Sequence, residues 1–172
     1  NLSQSDVVYL EDNQCIIESP EFSRPIKFWG SPWQPEFYNW AFNLPRLGDD
    51  LKKYWSMIPD DTDVLITHGP PNEARDFVSN WRQGDMNVGC ELLRHQVENR
   101  IKPLLHVFGH IHDGPSHKDK FYYTGSFSRW KYGEEEAKGF LVATIDNKTF
   151  EYKVEFIENT LALFKKKQLY LH

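Results

Sequence analysis

Cysteine is scarce: the 172-residue chain has two, Cys15 and Cys90. Two thiols make neither a disulfide framework nor the paired spacing of a zinc-thiolate site. They fit a reducing, cytoplasmic compartment, and each reads as a small apolar filler rather than a reactive group. Long apolar runs are also lacking. None approaches the roughly 18 residues needed to span a bilayer, so no membrane is expected as a partner. No basic-then-apolar secretory signal stands at the start. The chain opens on Asn1 without a Met, so a processed or partial sequence is expected. Positive charge is in deficit, with 20 Lys and Arg against 25 Asp and Glu, for a formal net charge of −5. That balance argues against a broad basic footprint for nucleic acid, although a local basic groove is compatible with it. Internal repeats, low-complexity segments and linkers are absent. So are two metal-ligand patterns, Asp-x-His and Gly-Asn-His.

What is present is ample apolar material: 40% hydrophobic and 15% aromatic residues. One domain, or a large part of one, can be built around such a core. Its centre of organisation is the stretch Val107-Phe108-Gly109-His110-Ile111-His112-Asp113-Gly114. An apolar strand runs up to it, a glycine permits a sharp turn, and two imidazoles follow at i and i+2. From an extended or tightly turned backbone they can diverge and grip two adjacent ions. Neutral imidazole offers a nitrogen lone pair near pH 7, which makes histidine the commonest metal ligand. Val64-Leu65-Ile66-Thr67-His68-Gly69-Pro70-Pro71 repeats the grammar. The two strand ends are expected to meet and form a metal site.

The remaining elements read as follows. Residues 7–10 and 14–18 are two short strands joined by a turn at Asp12-Asn13. Residues 26–30 are a third strand. Residues 31–40, rich in aromatics and prolines, form an ordered loop pinned by its rings, either packed over a core edge or lining a binding cleft. Leu47, Leu51, Tyr54, Trp55 and Ile58 fall at helical spacing, with Asp49 or Asp50 as cap and Pro59 as stop. Residues 64–66 are a strand buried on both faces. Residues 72–89 are a surface loop with a short helix, anchored by Phe77 and Trp81. Cys90, Leu93, Val97 and Ile101 mark an amphipathic helix whose polar face carries Arg94, His95, Glu98 and Arg100, and Pro103 ends it. His106 reads as a hydrogen-bonded residue within the strand 104–108. Strands over 139–145 and 150–157 make a hairpin, with Phe150, Tyr152, Val154 and Phe156 on one face. The charge runs Glu134-Glu135-Glu136 and Lys165-Lys166-Lys167 read as solvated. Ligands gather at the carboxyl ends of strands in open α/β sheets, which is where both histidine stretches stand.

Imidazole-rich ligand sets suit zinc, iron, manganese or nickel better than magnesium or calcium. His68 in Ile-Thr-His-Gly-Pro-Pro, followed by Gly109-His110-Ile111-His112, resembles the last two of five motifs in the calcineurin-like metallophosphoesterases. The likeness extends to Trp29-Gly30-Ser31-Pro32-Trp33, to the stretch Asn39-Trp40-Ala41-Phe42-Asn43-Leu44-Pro45, and to Asn87-Val88-Gly89-Cys90-Glu91-Leu92-Leu93. Together these blocks resemble the metallophosphoesterase-domain-containing branch, some members of which hydrolyse cyclic nucleotides and other phosphodiesters. The resemblance implies an α/β fold, the C-terminal part of an α/β sandwich of two mixed β-sheets flanked by helices. It assigns His68 and His110 to one divalent metal ion and His112 to a second. It places the Asp-x-His, Gly-Asp and Gly-Asn-His motifs N-terminal to Asn1. Some members of the branch have glycine at the first His of Gly-His-x-His, and this chain keeps His110. The implied activity is phosphoester hydrolysis by a two-metal-activated water, with phosphodiesters favoured over monoesters.

Beyond the last metal motif, Gly125-Ser126-Phe127-Ser128-Arg129 and the following Tyr132 to Phe140 resemble the nuclease subunits of double-strand-break repair. On that likeness Ser126 and Arg129 bind substrate near the phosphate path; otherwise the segment is the turn that returns the chain to the sheet. Two alternatives therefore stand beside phosphodiester hydrolysis. One is a nuclease acting on DNA or RNA. The other is a non-catalytic fragment or binding module that lacks the upstream metal motifs.

Overall fold

The computed structural model describes residues 8–78, 86–111, 116–118, 121–123, 139–146 and 148–158. In chain order the elements are β1 (Asn13–Ile17), β2 (Ile26–Ser31), β3 (Gln34–Pro35), β4 (Asn43–Leu44), α1 (Asp49–Met57), β5 (Val64–Thr67), β6 (Phe77–Val78), β7 (Met86–Asn87), α2 (Glu91–Gln96), β8 (Leu105–Phe108), β9 (Ser116–Lys118), β10 (Phe121–Tyr123), β11 (Gly139–Ile145) and β12 (Tyr152–Glu158). Helix α2 runs on as a π-helical turn over Val97–Ile101. Six strands form one mixed sheet in the order β1-β2-β5-β8-β10-β9. The four inner strands are parallel, and β1 and β9 close the edges antiparallel.

From β2 to β5 to β8 the chain advances in one direction across the sheet. Right-handed crossovers then put both connecting helices on the same face. That is the arrangement found: Trp29 and Leu65 meet Leu51, Trp55, Leu93, Val97 and Ile101 in one buried cluster. Successive strand residues point to opposite faces. Val64 therefore serves the other layer, with Ile26 and Leu105. The β11–β12 hairpin packs there through Ile145, Phe150, Tyr152 and Val154. Among the described residues the protein is thus a mixed α/β structure: helices, a six-stranded sheet, and a hairpin on the far face.

The two-helix layer is tied by Arg100, which sequence reading left on the solvated face. Its guanidinium donates to the carbonyls of Trp55 (2.8 Å) and Ile58 (2.6 Å) at the end of α1. Helix α1 has no basic residue of its own in its last turn, and a cation there satisfies open carbonyls and favours the helix dipole.

Several expectations are corrected. Residues 8–10 are not a strand; β1 pairs instead with β2, Asn13 opposite Gly30. Leu10 lies against Gly30, where an added Cβ would lie 2.4 Å from that of Leu10, so only glycine fits. Asp12 is not a simple hairpin turn. It has a left-handed φ of 49°, and its carboxylate accepts from Ser31 Oγ (2.7 Å) and Trp33 Nε1 (2.6 Å). Asp49 and Asp50 lie in the first turn of α1 behind an N-cap at Gly48, and Leu47 is exposed. Ile66 is 39% exposed, so β5 is not buried on both faces. Phe77 is exposed rather than an anchor; β6 and β7 pair within the stretch 72–89, whose residues 79–85 lie outside the described residues, so that its expected short helix is not seen among the described ones. Trp81 and the charge runs at 134–136 and 165–167 lie outside the described residues.

Cys90 is more than filler. It is the N-cap of α2: its Sγ accepts from Leu93 N–H (3.4 Å) and from the buried Trp55 indole (3.2 Å). Just before it, Gly89 runs so close to Pro71 that an added Cβ would lie 2.5 Å from the Pro71 carbonyl oxygen.

Candidate metal centre

The carboxyl ends of β2, β5 and β8 stand level, because Ser31 pairs with Thr67 and Thr67 with Phe108. Each strand passes its register to the next beyond its end. His68 N–H donates to Ser31 O (3.2 Å), and Gly109 N–H donates to His68 O (2.9 Å). The two histidines that follow are therefore neighbours. His68 Nε2 lies 3.1 Å from His110 Nδ1, with ring centroids 5.0 Å apart. The expected meeting of the two strand ends is observed. The sharp turn is made differently: the left-handed residue is His110 itself, at φ 78°. A Cβ on Gly109 would meet only the His68 carbonyl oxygen, at an ordinary 3.6 Å.

Behind the pair stands a buried lock. Thr67 Oγ1 donates to Gly69 O (2.8 Å), spanning His68, and lies 2.9 Å from His106 Nε2. A hydroxyl has one proton. Because Thr67 gives it to Gly69, His106 Nε2 carries the proton of the second bond and donates. His106 is fully buried, as its reading as a hydrogen-bonded strand residue requires.

In front, the loop 31–42 brings its rings to His110. Phe37 and Trp40 both meet that imidazole edge-on, at 5.1 Å and 5.5 Å. These contacts set the loop beside the histidine pair. His95 is exposed on the far helix, away from these contacts.

Does this donor set suit a metal ion? Two nitrogens each about 2.0–2.1 Å from one ion, at angles of about 90–110°, lie about 2.8–3.4 Å apart. The observed 3.1 Å falls in that range. A cation can lie between two nitrogens at that separation. His68 and His110 therefore fit as two ligands of one ion, the pairing that the family resemblance implied. Among the described residues no group of three or more His, Cys, Asp or Glu side chains is placed to hold an ion. The remaining expected site residues, His112, Ser126 and Arg129, lie outside the described residues. Sequence reading missed Thr67 and Asp12 as supports; a threonine directly before a strand-end histidine was the available signal for the first.

Comparison with known proteins finds relatives over part of the chain. Over 110 residues, 64% of this chain, it is 46% identical to metallophosphoesterase domain-containing protein 1 of Homo sapiens and of Mus musculus. It is equally identical over the same length to a UPF0046 protein of Caenorhabditis elegans. The matched segment covers 31% of the human and mouse proteins and 25% of the worm protein. The chain thus spans about a third or less of the curated relatives it matches. No protein-family model matches it. The chain is homologous to metallophosphoesterase-domain proteins over a fragment of their length.

Proposed function

We propose that this chain is the C-terminal part of a two-metal phosphoesterase domain, cytoplasmic, that hydrolyses phosphoester bonds, phosphodiesters before monoesters. The observation that carries the reading is the 3.1 Å approach of His68 Nε2 to His110 Nδ1 at the carboxyl ends of adjacent parallel strands. His68 and His110 bind one ion and His112 a second. Manganese, iron, zinc and nickel are the candidates, on the softness of imidazole. When bound, such ions polarise a phosphoryl oxygen and activate a water for in-line attack. The chain's own contribution is to hold the ligands. Thr67 and His106 fix the backbone on either side of His68, and Phe37 and Trp40 limit the freedom of the His110 ring. Ser126 and Arg129 are assigned to the phosphate oxygens.

Two measurements test this. Titration calorimetry of manganese and zinc into the chain should show binding that His68→Ala and His110→Ala each weaken at least tenfold. In the intact protein that carries this segment, a chromogenic phosphodiester and a cyclic nucleotide should be turned over, and His68→Ala should abolish it. Equal metal binding by wild type and by a protein carrying both His68→Ala and His110→Ala would remove the reading and leave a non-catalytic binding module. Cleavage of single-stranded DNA in preference to the small esters would make the protein a nuclease.

A further inference from the structure

The rings around His110 are arranged in a way that packing alone does not account for. Phe37 sits at the centre, edge-on to Tyr38 (4.7 Å), Trp40 (5.2 Å) and His110 (5.1 Å). Yet Tyr38 is 72% exposed and Trp40 53%. A loop that merely covered a core edge would turn such rings inward, since each Å² of apolar surface left in water forfeits about 25 cal/mol.

Their exposure is not slackness. Asn43 Nδ2 donates to the carbonyls of Phe37 (3.2 Å) and Tyr38 (3.0 Å). Gln34, itself buried, donates through Nε2 to Asn43 Oδ1 (3.1 Å) and Ala41 O (3.3 Å). The short β3–β4 pair closes the base. Tyr38 and Phe42 are held at φ 49° and 58°, a left-handed conformation that L-residues with large side chains avoid and that is found where a surrounding structure imposes it, often at ligand clamps. The rings are therefore preorganised, outward-facing, and continuous with a metal-ligand pair.

The geometry points to a ring-binding wall: the faces of Tyr38 and Trp40 stack against a flat aromatic group on an ester arm of the phosphoester held at His68 and His110. This rests on the function proposed above and names its substrate class. The Trp40 ring is centred 5.5 Å from that of His110, so the arm of a phosphate bound at the imidazoles starts within one ring's width of the wall. Stacking on an aromatic side chain is tolerant of which ring it meets and strong enough to select for one.

The test is equilibrium binding to the chain in the presence of manganese. Phenyl phosphate is compared with ethyl phosphate, adenosine monophosphate with ribose 5-phosphate, and inorganic phosphate serves as reference. The expected result is at least tenfold tighter binding of the ring-bearing member of one or both pairs. Tyr38→Ala, which does not touch His110, should remove the preference and leave inorganic phosphate binding unchanged. A preference confined to phenyl phosphate places the ring directly on the ester; one shared with adenosine monophosphate admits a base carried on a sugar. Equal binding within both pairs, with inorganic phosphate still bound, overturns the wall and spares the metal site. Tighter binding of phosphocholine than of phenyl phosphate also overturns it, because the rings would then be a cation box. Loss of all phosphate binding in the wild type would instead count against the metal site.

Discussion

Replacing Thr67 by valine tests the most specific structural claim about the site. Valine keeps the shape of the 4%-exposed side chain and deletes one hydroxyl. That hydroxyl serves Gly69 O at 2.8 Å and His106 Nε2 at 2.9 Å. The variant therefore strands one buried carbonyl and one buried N–H. Leaving a buried polar group unpaired costs about 1–3 kcal/mol each, so the expected loss is about 2–6 kcal/mol, read as a lower urea midpoint at unchanged slope. Thr67→Ser keeps the hydroxyl and should lose only the small contribution of a methyl group. His106→Phe in the Thr67→Val background should cost less than the sum of the two single changes, because the unpaired N–H is then gone. The same turn spans His68, so Thr67→Val should also weaken manganese binding while Thr67→Ser retains it. A Thr67→Val protein within about 0.5 kcal/mol of wild type, the scatter of ordinary surface changes, would refute both the lock and the inferred proton on His106 Nε2.

Two further outcomes follow from the charged and thiol groups. Burial pushes the Asp63 carboxyl up, but the Arg24 guanidinium (2.6 and 2.8 Å) and then the Lys27 N–H (2.9 Å) outweigh it and hold it below its ordinary value. Its stabilising contribution is thus present above about pH 4 and lost as pH falls through the lowered folded value; Asp63→Asn should flatten that part of the stability profile, and parallel acid curves for the two proteins would contradict the pairing. Burial pushes the Cys90 thiol up, more than its hydrogen bonds from Leu93 and Trp55 bring it down. Iodoacetamide should modify the partly exposed Cys15 in the native protein and reach Cys90 only in denaturant, as mass spectrometry can follow, and Cys90→Val should destabilise by about 1 kcal/mol more than Cys90→Ser by losing the cap.

The strand–helix–strand core was legible because its signals are local and agree with one another. The apolar run 64–66, the helical spacing of Cys90, Leu93, Val97 and Ile101, and the histidines at both strand ends all point to one arrangement. Alternation over residues 150–157 likewise announced the hairpin. What escaped depends on partners distant in sequence. β1 pairs with β2 rather than with residues 8–10, and Leu10 lies against Gly30. Ile66 is exposed because the hairpin covers the Ile26, Val64 and Leu105 end of the sheet, and an apolar triplet cannot say how far its cover extends. Cys90 looked like a core residue by spacing, and it is one, but its sulfur also caps a helix. His110 takes the left-handed turn that glycine seemed reserved for, since histidine tolerates that region better than most side chains.

The levelness of Ser31, Thr67 and Phe108 has a consequence for how such a site can change over generations. The gap between His68 and His110 is inherited from the spacing of hydrogen-bonded strands, about 4.8 Å, and not from the 42-residue excursion that joins them. Changes of length in the excursion outside its core helix and β8 leave the imidazoles where they are, whereas a slip of one residue in β8 would carry His110 to the opposite face of the sheet. Those outer stretches are thus free to vary in length, while tolerance for a frame error in a four-residue strand is nil.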